Sequence, residues 1–169
     1  LGASGGSASS ATTLVHGLAN SGDFAGAEAR MTELLDGDPG PAILLDARLG
    51  RGIVRMWAND LDGSGDDLRQ VLAHADEQGS FLIEANVRSF LAELAFRAGR
   101  WVEAADRAQA AASVVDDAGE AWLVALPHGI AATVLACTGR FDEARRHAAA
   151  AETTAEATTM LGSRLWADQ

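Results

Sequence analysis

Small and apolar residues recur along this chain at a regular spacing. The aromatic Trp101 comes two positions after Gly99, and alanines follow five, nine and twelve positions after the same glycine. Gly139, which lies 40 residues later, is followed by an aromatic residue and three alanines at the same offsets. Residues at these offsets share one face of an α-helix, because the helix completes a turn every 3.6 residues. Each stretch therefore predicts an amphipathic helix that begins just after a glycine.

The pattern occurs four times. Two earlier copies start from Gly22 and Asn59, so successive copies begin 37, 40 and 40 residues apart. Glycine and asparagine readily adopt the left-handed backbone with which many helices end. Each copy thus predicts a helix A, a tight turn and a helix B, and the small residue five positions after each start lets the two helices approach closely. The residues at the four offsets are Phe24, Ala27, Met31 and Leu34, then Leu61, Ser64, Leu68 and Val71, then Trp101, Ala104, Ala108 and Ala111, then Phe141, Ala144, Ala148 and Ala151.

The predicted fold is all-α, a right-handed superhelical array of antiparallel helical hairpins with about eight or nine helices. We expect residues 1–7 to form a flexible segment and residues 8–169 to form a single repeat domain. Its units are predicted at 8–36, 42–78, 81–116 and 120–154, with a partial unit at 156–169. Helix A is predicted at 8–20, 42–58, 81–98 and 120–138, and helix B at 24–36, 65–78, 101–116 and 141–154.

The last residues of the chain begin a fifth helix A with an apolar stripe, whereas a solenoid usually ends in a polar cap. This stripe consists of Met160, Leu161, Leu165 and Trp166. The chain is therefore expected to be a piece of a larger protein. Exposed apolar stripes often pair, so a homodimer through this stripe is an alternative that the sequence leaves open.

Composition supports the helical prediction and narrows the classes of partner. Hydrophobic residues make up 48% of the chain, many of them alanine, and the net charge is −11, with arginine supplying all 13 basic residues. Such an acidic surface repels phosphate backbones, so no direct contact with nucleic acid is expected. No run of apolar residues is long enough to span a membrane, and no secretion signal is visible. The single cysteine, Cys137, excludes a disulfide framework and is expected to be a buried, inert thiol.

The stretch from Asp60 to Val71 resembles half of a calcium-binding loop. Asp60, Asp62 and Ser64 would occupy ligand positions 1, 3 and 5, and Gly65 would provide the glycine at position 6. Position 12, which should be glutamate, is Val71 and has no oxygen to offer. We prefer the alternative that the stretch is the turn of the second hairpin. Its aspartates then lie at a helix N-terminus, where negative charge is favoured by about 0.3–1 kcal/mol.

No motif in the sequence points to an enzyme. The four histidines, His16, His74, His128 and His147, show no metal-ligand spacing, so no metal is expected. Neither a strand–turn–helix nucleophile motif nor a phosphate-binding loop is present, so this segment is expected to hold no cofactor. An enzyme fragment that handles a metal or a substrate is the hypothesis we rank last.

Candidate binding residues lie on the A helices, which line the inner curve of such arrays. Arg48, Arg88 and His128 share one offset, eleven residues before the turn, and would form a basic ladder for an acidic peptide or anionic ligand. The alternative, slightly favoured, is that each pairs with a local acid such as Asp46 or Glu84. Tryptophans on A helices would face the same groove, with core packing as the favoured alternative, while Trp101 is expected in the core. The full candidate set is Asp46, Arg48, Trp57, Asn86, Arg88, Trp122 and His128.

Hairpins with the turn G-R-[WF]-x-E-A, as at Gly99–Ala104 and Gly139–Ala144, resemble tetratricopeptide repeats. Their period of 40 residues is longer than the usual 34, which implies longer helices. The segments "LAELAFRAGRWVEAADRAQAAASVV" and "GIAATVLACTGRFDEARRHAAAAE" are most similar to the helical repeat region of large bacterial LuxR-type transcription regulators of the MalT-like group. The resemblance covers roughly residues 45–155.

That resemblance implies a parent protein with an ATP-binding module, a helical repeat sensor and a C-terminal helix-turn-helix. The sequence contains no lysine, hence no phosphate-binding loop with its lysine, and no basic recognition helix. This chain is therefore expected to be the cytoplasmic sensor or interaction region alone. It would bind a small-molecule effector or a partner protein and help to control ATP-dependent self-assembly on DNA. The alternative is a general tetratricopeptide-like scaffold that binds a peptide or protein and has no link to transcription.

Overall fold

A computed structural model of the chain describes residues 18–19, 21–37, 40–118 and 125–153. These residues form helices and turns without any strand, which confirms the all-α prediction. They contain seven helices rather than the predicted eight or nine, and most of the first helix A and the partial fifth unit lie outside the described residues. The helices are α1 (Phe24–Asp36), α2 (Pro41–Trp57), α3 (Leu61–Gln78), α4 (Phe81–Arg97), α5 (Trp101–Ala118), α6 (Ala125–Cys137) and α7 (141–153).

The four predicted turns have the backbone that the sequence pattern requires. The φ angles of Gly22, Asn59, Gly99 and Gly139 are +85°, +69°, +76° and +82°. After each of these residues, the next backbone amide donates a hydrogen bond to the carbonyl five residues earlier, with N···O distances of 2.8–2.9 Å. This bond is characteristic of the Schellman motif, which satisfies carbonyls at the end of a helix. The prediction that each hairpin turns at these residues is confirmed.

The start of α3 settles the interpretation of the aspartate-rich stretch. The Asp60 carboxylate accepts a hydrogen bond from the Gly63 amide at 3.0 Å, and the helix runs from Leu61, four residues before the predicted start. Residues two positions apart on a helix do not face each other, so Asp62 and Ser64 cannot converge on one ion. The stretch is a capped helix start and has no calcium-loop geometry.

The helix starts differ between the earlier and later hairpins. Asp23 caps α1 by accepting a hydrogen bond from the amide of Gly26 at 2.9 Å, in the same way as Asp60 caps α3. At both capped starts a Cβ on the glycine would collide with the capping carboxylate. In the later hairpins an arginine takes the place of the aspartate and a glutamate takes the place of the glycine. The two form an ion pair, at 2.8 Å for Arg100–Glu103 and 2.6 Å for Arg140–Glu143.

The chain divides into two compact units, Leu1–His74 and Ala75–Gln169. In the first unit α1 packs against α2, around a core that includes Met31 and Val54. Glycines in α2 permit this close packing. A Cβ on Gly50 would collide with Met31, and a Cβ on Gly52 would lie 3.1 Å from the Leu68 side chain of α3.

In the second unit α4 packs against α5 and α6, and α5 packs against α6. The main buried cluster of this unit consists mostly of alanines, and Val134 and Leu135 of α6 are its largest buried members. Ala104 and Ala144, which occupy the small-residue position of the repeat, are both buried. The predicted close approach of the paired helices is therefore present in this unit.

The predicted core position of Trp101 and the predicted burial of Cys137 are both wrong. Trp101 and Phe141, at the aromatic position of the repeat, are 60% and 59% exposed. Each is the first residue of its helix, and helical side chains lean toward the N-terminus, so both extend past the end of the hairpin. Cys137 is exposed because it is the last residue of α6, next to the turn.

Candidate functional site

The acidic stretch of α3 contributes one buried carboxylate to an ion network in the first unit. The side chain of Asp67 is only 2% exposed. Arg51 of α2 donates to both of its oxygens, from Nε at 2.9 Å and from Nη2 at 2.7 Å. Arg55, one turn further along α2, donates from Nη1 at 2.9 Å. Two arginines therefore neutralise and satisfy the buried acid.

The same network reaches α1. Arg55 donates from Nε to Glu28 at 2.7 Å, and Arg51 donates from Nη1 to Thr32 at 3.4 Å. Burial opposes the charged form of Arg55, but the hydrogen bond to Glu28 and the nearby carboxylates outweigh it and raise the pKa of the guanidinium. These charges satisfy one another and link α1, α2 and α3, so their role is structural.

Two of the three residues in the predicted basic ladder lie against an acidic side chain. Arg88 pairs with Glu84, one turn earlier on α4, at 2.8 Å, as the alternative interpretation expected. His128 is buried, and its Nε2 lies 3.1 Å from the Asp116 carboxylate of α5. Arg48 differs from both, because its Nε atom is buried and has no hydrogen-bond partner.

The other candidates are placed as follows. Asp46 is exposed on α2, Trp57 is 39% exposed at the end of α2, and Asn86 is half-buried on α4. Trp122 lies outside the described residues. Asp46, Arg48 and Trp57 belong to the first unit, whereas Asn86, Arg88 and His128 belong to the second. Their role in a common groove stays a prediction.

A groove of about 480 Å³ lies between α4 and α6, the A helices of the third and fourth hairpins. Its walls are mainly apolar, and a Glu93–Arg97 ion pair of 2.7 Å provides its polar edge. The lining residues are Glu93, Phe96, Arg97, Ala125, Leu126, Gly129, Ile130, Thr133 and Val134. No residue of the predicted set is among them. The sequence does contain one signal for this groove, because Leu126 and Ile130 are four residues apart and hence lie on one helix face.

A second pocket, of about 450 Å³, lies where α6 ends and α5 begins. It is bordered by exposed Trp101 and Val102, together with Cys137 and Arg140. The Arg140 guanidinium is already paired with Glu143, and this pairing raises its pKa. This pocket therefore presents an apolar surface, and the charge of Arg140 at its border is already neutralised by Glu143.

Two histidines of the second unit contact each other. The Nδ1 atoms of His128 on α6 and His147 on α7 are 3.2 Å apart, and the ring centroids are 4.9 Å apart. Burial, followed by electrostatic repulsion from the neighbouring His128 ring, lowers the pKa of His147. Within residues 18–19, 21–37, 40–118 and 125–153, no group of three or more histidine, cysteine or acidic side chains has metal-site geometry. Over the same part of the chain, no helix is long and apolar enough to cross a membrane.

No protein-family model matches the chain, and no curated protein matches it either. Among solved structures, the crystal structure of BtubC (BKLC) from P. vanneervenii is similar, with a TM-score of 0.60 at 20% identity. The match covers 79% of this chain and 54% of BtubC, so the chain spans about half the length of that protein. At this identity the likeness bears on the fold alone.

Proposed function

We propose that this chain is a protein-interaction repeat domain that binds a segment of a partner protein in the groove between α4 and α6. The observation that carries the proposal is the open apolar wall of this groove. Its volume of about 480 Å³ lies within the range of roughly 300–1,000 Å³ that is usual for ligand pockets. The charged residues at its edge, Glu93 and Arg97, are paired with each other, so binding through apolar contact fits the site better than acid–base chemistry.

The chemistry of the groove favours an apolar partner segment that is not acidic. Leu126 and Ile130 offer apolar surface along one wall, and Phe96 offers it along the other. The polar edge is already neutral, because Glu93 and Arg97 pair with each other. The net charge of −11 repels acidic partners at long range and attracts basic ones. A neutral or basic segment with apolar anchors is therefore the expected ligand, and a small-molecule effector is the alternative.

The resemblance to LuxR-type regulators adds a more specific proposal. In this proposal the chain is the cytoplasmic sensor of a transcription regulator, and partner binding in the groove controls assembly of the parent protein. The parent gene tests it directly. A phosphate-binding loop upstream and a helix-turn-helix downstream would support the regulator. Their absence would favour the general scaffold, which uses the same groove without a link to transcription.

The groove itself is tested with the full chain and a peptide selected from a displayed random library. We expect Leu126→Ala to weaken binding of that peptide at least about tenfold, which corresponds to about 1.4 kcal/mol, because truncation removes an apolar anchor. Leu126 is 37% exposed, so its truncation should leave the thermal midpoint nearly unchanged. Fluorescence anisotropy gives the affinity.

Val102→Ala is the matched control. Val102 is 79% exposed and lines the second pocket, so its truncation removes a similar apolar group at a different surface. Unchanged affinity in this variant and weaker binding in Leu126→Ala would support the groove between α4 and α6. The opposite pattern would contradict the proposal and place binding at the second pocket.

A further inference from the structure

We infer that Asp116, His128 and His147 form a proton-sensitive contact that holds α7 against α6 near neutral pH and releases it in acid. The three side chains lie on three successive helices of the second unit. His128 is in the middle and is 5% exposed. Asp116 on α5 lies on one side of it and His147 on α7 on the other.

The hydrogen bonds determine where the protons are. A carboxylate can only accept, so the His128 Nε2, 3.1 Å from the Asp116 oxygen, carries a proton. In neutral His128 the Nδ1 atom is then an acceptor. His147 donates from its own Nδ1 across the distance of 3.2 Å. Asp116 thereby selects the tautomer of His128, which in turn selects that of His147.

This arrangement accommodates one additional proton but not two. With one additional proton on the pair, Nε2 of His147, which is outside the contact, carries hydrogen and a single hydrogen remains between the two Nδ1 atoms, so the Nδ1–H···Nδ1 bond survives. With a second proton, both Nδ1 atoms carry hydrogen, and two donors face each other across 3.2 Å. Two imidazolium charges would also lie beside each other. The contact between α6 and α7 must then open.

The surroundings of the two rings shift the opening of this contact to a pH below the one at which a histidine ordinarily titrates. Burial lowers the pKa of His147 most, followed by His128, and Arg146 on α7 also lowers it. Asp116 from α5 and Glu143 from α7 act in the opposite direction, although Glu143 is already bound to Arg140 and to Gln109 of α5. On the other side of α6, the charged residues of α4 that line the groove, Glu93 and Arg97, are paired with each other.

The sign of the pH dependence follows from linkage. Because the pKa of His147 is lower in the folded chain than the ordinary value of 6.5, the unfolded chain takes up protons first. Stability is therefore complete above about pH 6.5 and falls as the pH drops through the pKa of the folded chain.

Release of α7 has a consequence for the groove, which rests on the proposed function. His128 precedes Gly129 and Ile130, and both of these line the groove. The opposite face of α6 is held by α5 and by the contact with α7. We expect the groove to bind its partner more weakly in acid, because the position of α6 is then less constrained.

Histidine ring titration by NMR on the full chain tests the contact itself. The His147→Gln variant assigns the resonance, and we expect the His147 midpoint to lie below 6.5. In urea unfolding, the wild-type midpoint should fall between about pH 7.5 and about pH 5, and His147→Gln should lose about half of this fall or more. His74→Gln, a variant of a half-buried histidine on α3, should keep the wild-type pH dependence.

A His147 midpoint at or above 6.5, or an unaltered pH dependence in His147→Gln, would overturn the inference. Asp116→Asn provides a second variant in case His147→Gln fails to fold. Asp116 raises the pKa of His147, so its neutralisation should shift the His147 midpoint further down. An unshifted midpoint in Asp116→Asn would also contradict the contact.

Peptide affinity measured at both pH values tests whether the histidine contact is coupled to the groove, separately from whether the groove binds a peptide. If acid weakens peptide binding to the wild type more than it weakens binding to His147→Gln, the coupling to the groove is supported. Equal acid weakening in both proteins contradicts the coupling. Failure of any peptide to bind in the groove contradicts the proposed function, while the titration of the free protein still decides the contact.

Discussion

Replacement of Asp67 by alanine is expected to lower the free energy of unfolding by about 3–5 kcal/mol. The substitution leaves Arg51 and Arg55 partly buried without the carboxylate that accepts three of their hydrogen bonds. An uncompensated charge in such a site costs far more than the pair contributes when it is intact. Urea unfolding followed by circular dichroism gives the change, with the slope of the transition checked against wild type.

Asp66→Ala is the control, because Asp66 is the neighbouring acid of the same helix. Its side chain is 71% exposed and pairs with Arg69, which is 64% exposed. Exposed pairs of this kind contribute about 0–1 kcal/mol. If both variants lose the same small amount, the buried network does not hold the three helices of the first unit together.

Truncation of Leu135 to alanine is expected to cost about 2–5 kcal/mol. Leu135 is fully buried in the core of the second unit, where alanines from neighbouring helices surround it. Alanine side chains cannot move into the space that the missing atoms leave, so much of the cavity should remain. Chemical denaturation of the full chain measures this loss.

Trp101→Ala provides the contrast, since it removes a larger side chain from the aromatic position of the repeat. Trp101 is 60% exposed, so the substitution should change stability by no more than about 0.5 kcal/mol. A loss as large as that of Leu135→Ala would show that the aromatic position belongs to the core in solution.

The turns and the helices they join could be predicted from the sequence because their causes are local. A positive φ angle at Gly22, Asn59, Gly99 and Gly139 depends on the residue itself and on the hydrogen bonds of the adjoining helix. The small residues buried at Ala27 and Ala104 follow from the same periodicity. The predicted start of α3 at residue 65 is wrong by four residues, because Asp60 caps a helix that already begins at Leu61.

The candidate site depended on information that a single helix does not contain. The groove forms because α4 and α6 leave a space between Phe96 on one helix and Leu126 on the other. The spacing of residues along the sequence does not specify the width of that space. Arg88 and His128 share a repeat offset, yet one pairs within α4 and the other across to α5. The partner in each case is decided by which acid lies within reach.

Residue identity and periodicity alone therefore determined that this protein is all-α, where its hairpins turn, and which small residues lie between paired helices. These features arise from backbone conformation and from the helical period, which act over a few residues. Only the tertiary structure decided that Asp67 is buried between two arginines, that Trp101 is exposed, and that the Nδ1 atoms of His128 and His147 lie 3.2 Å apart. Each of these depends on atoms from separate helices, and their distances are set by packing.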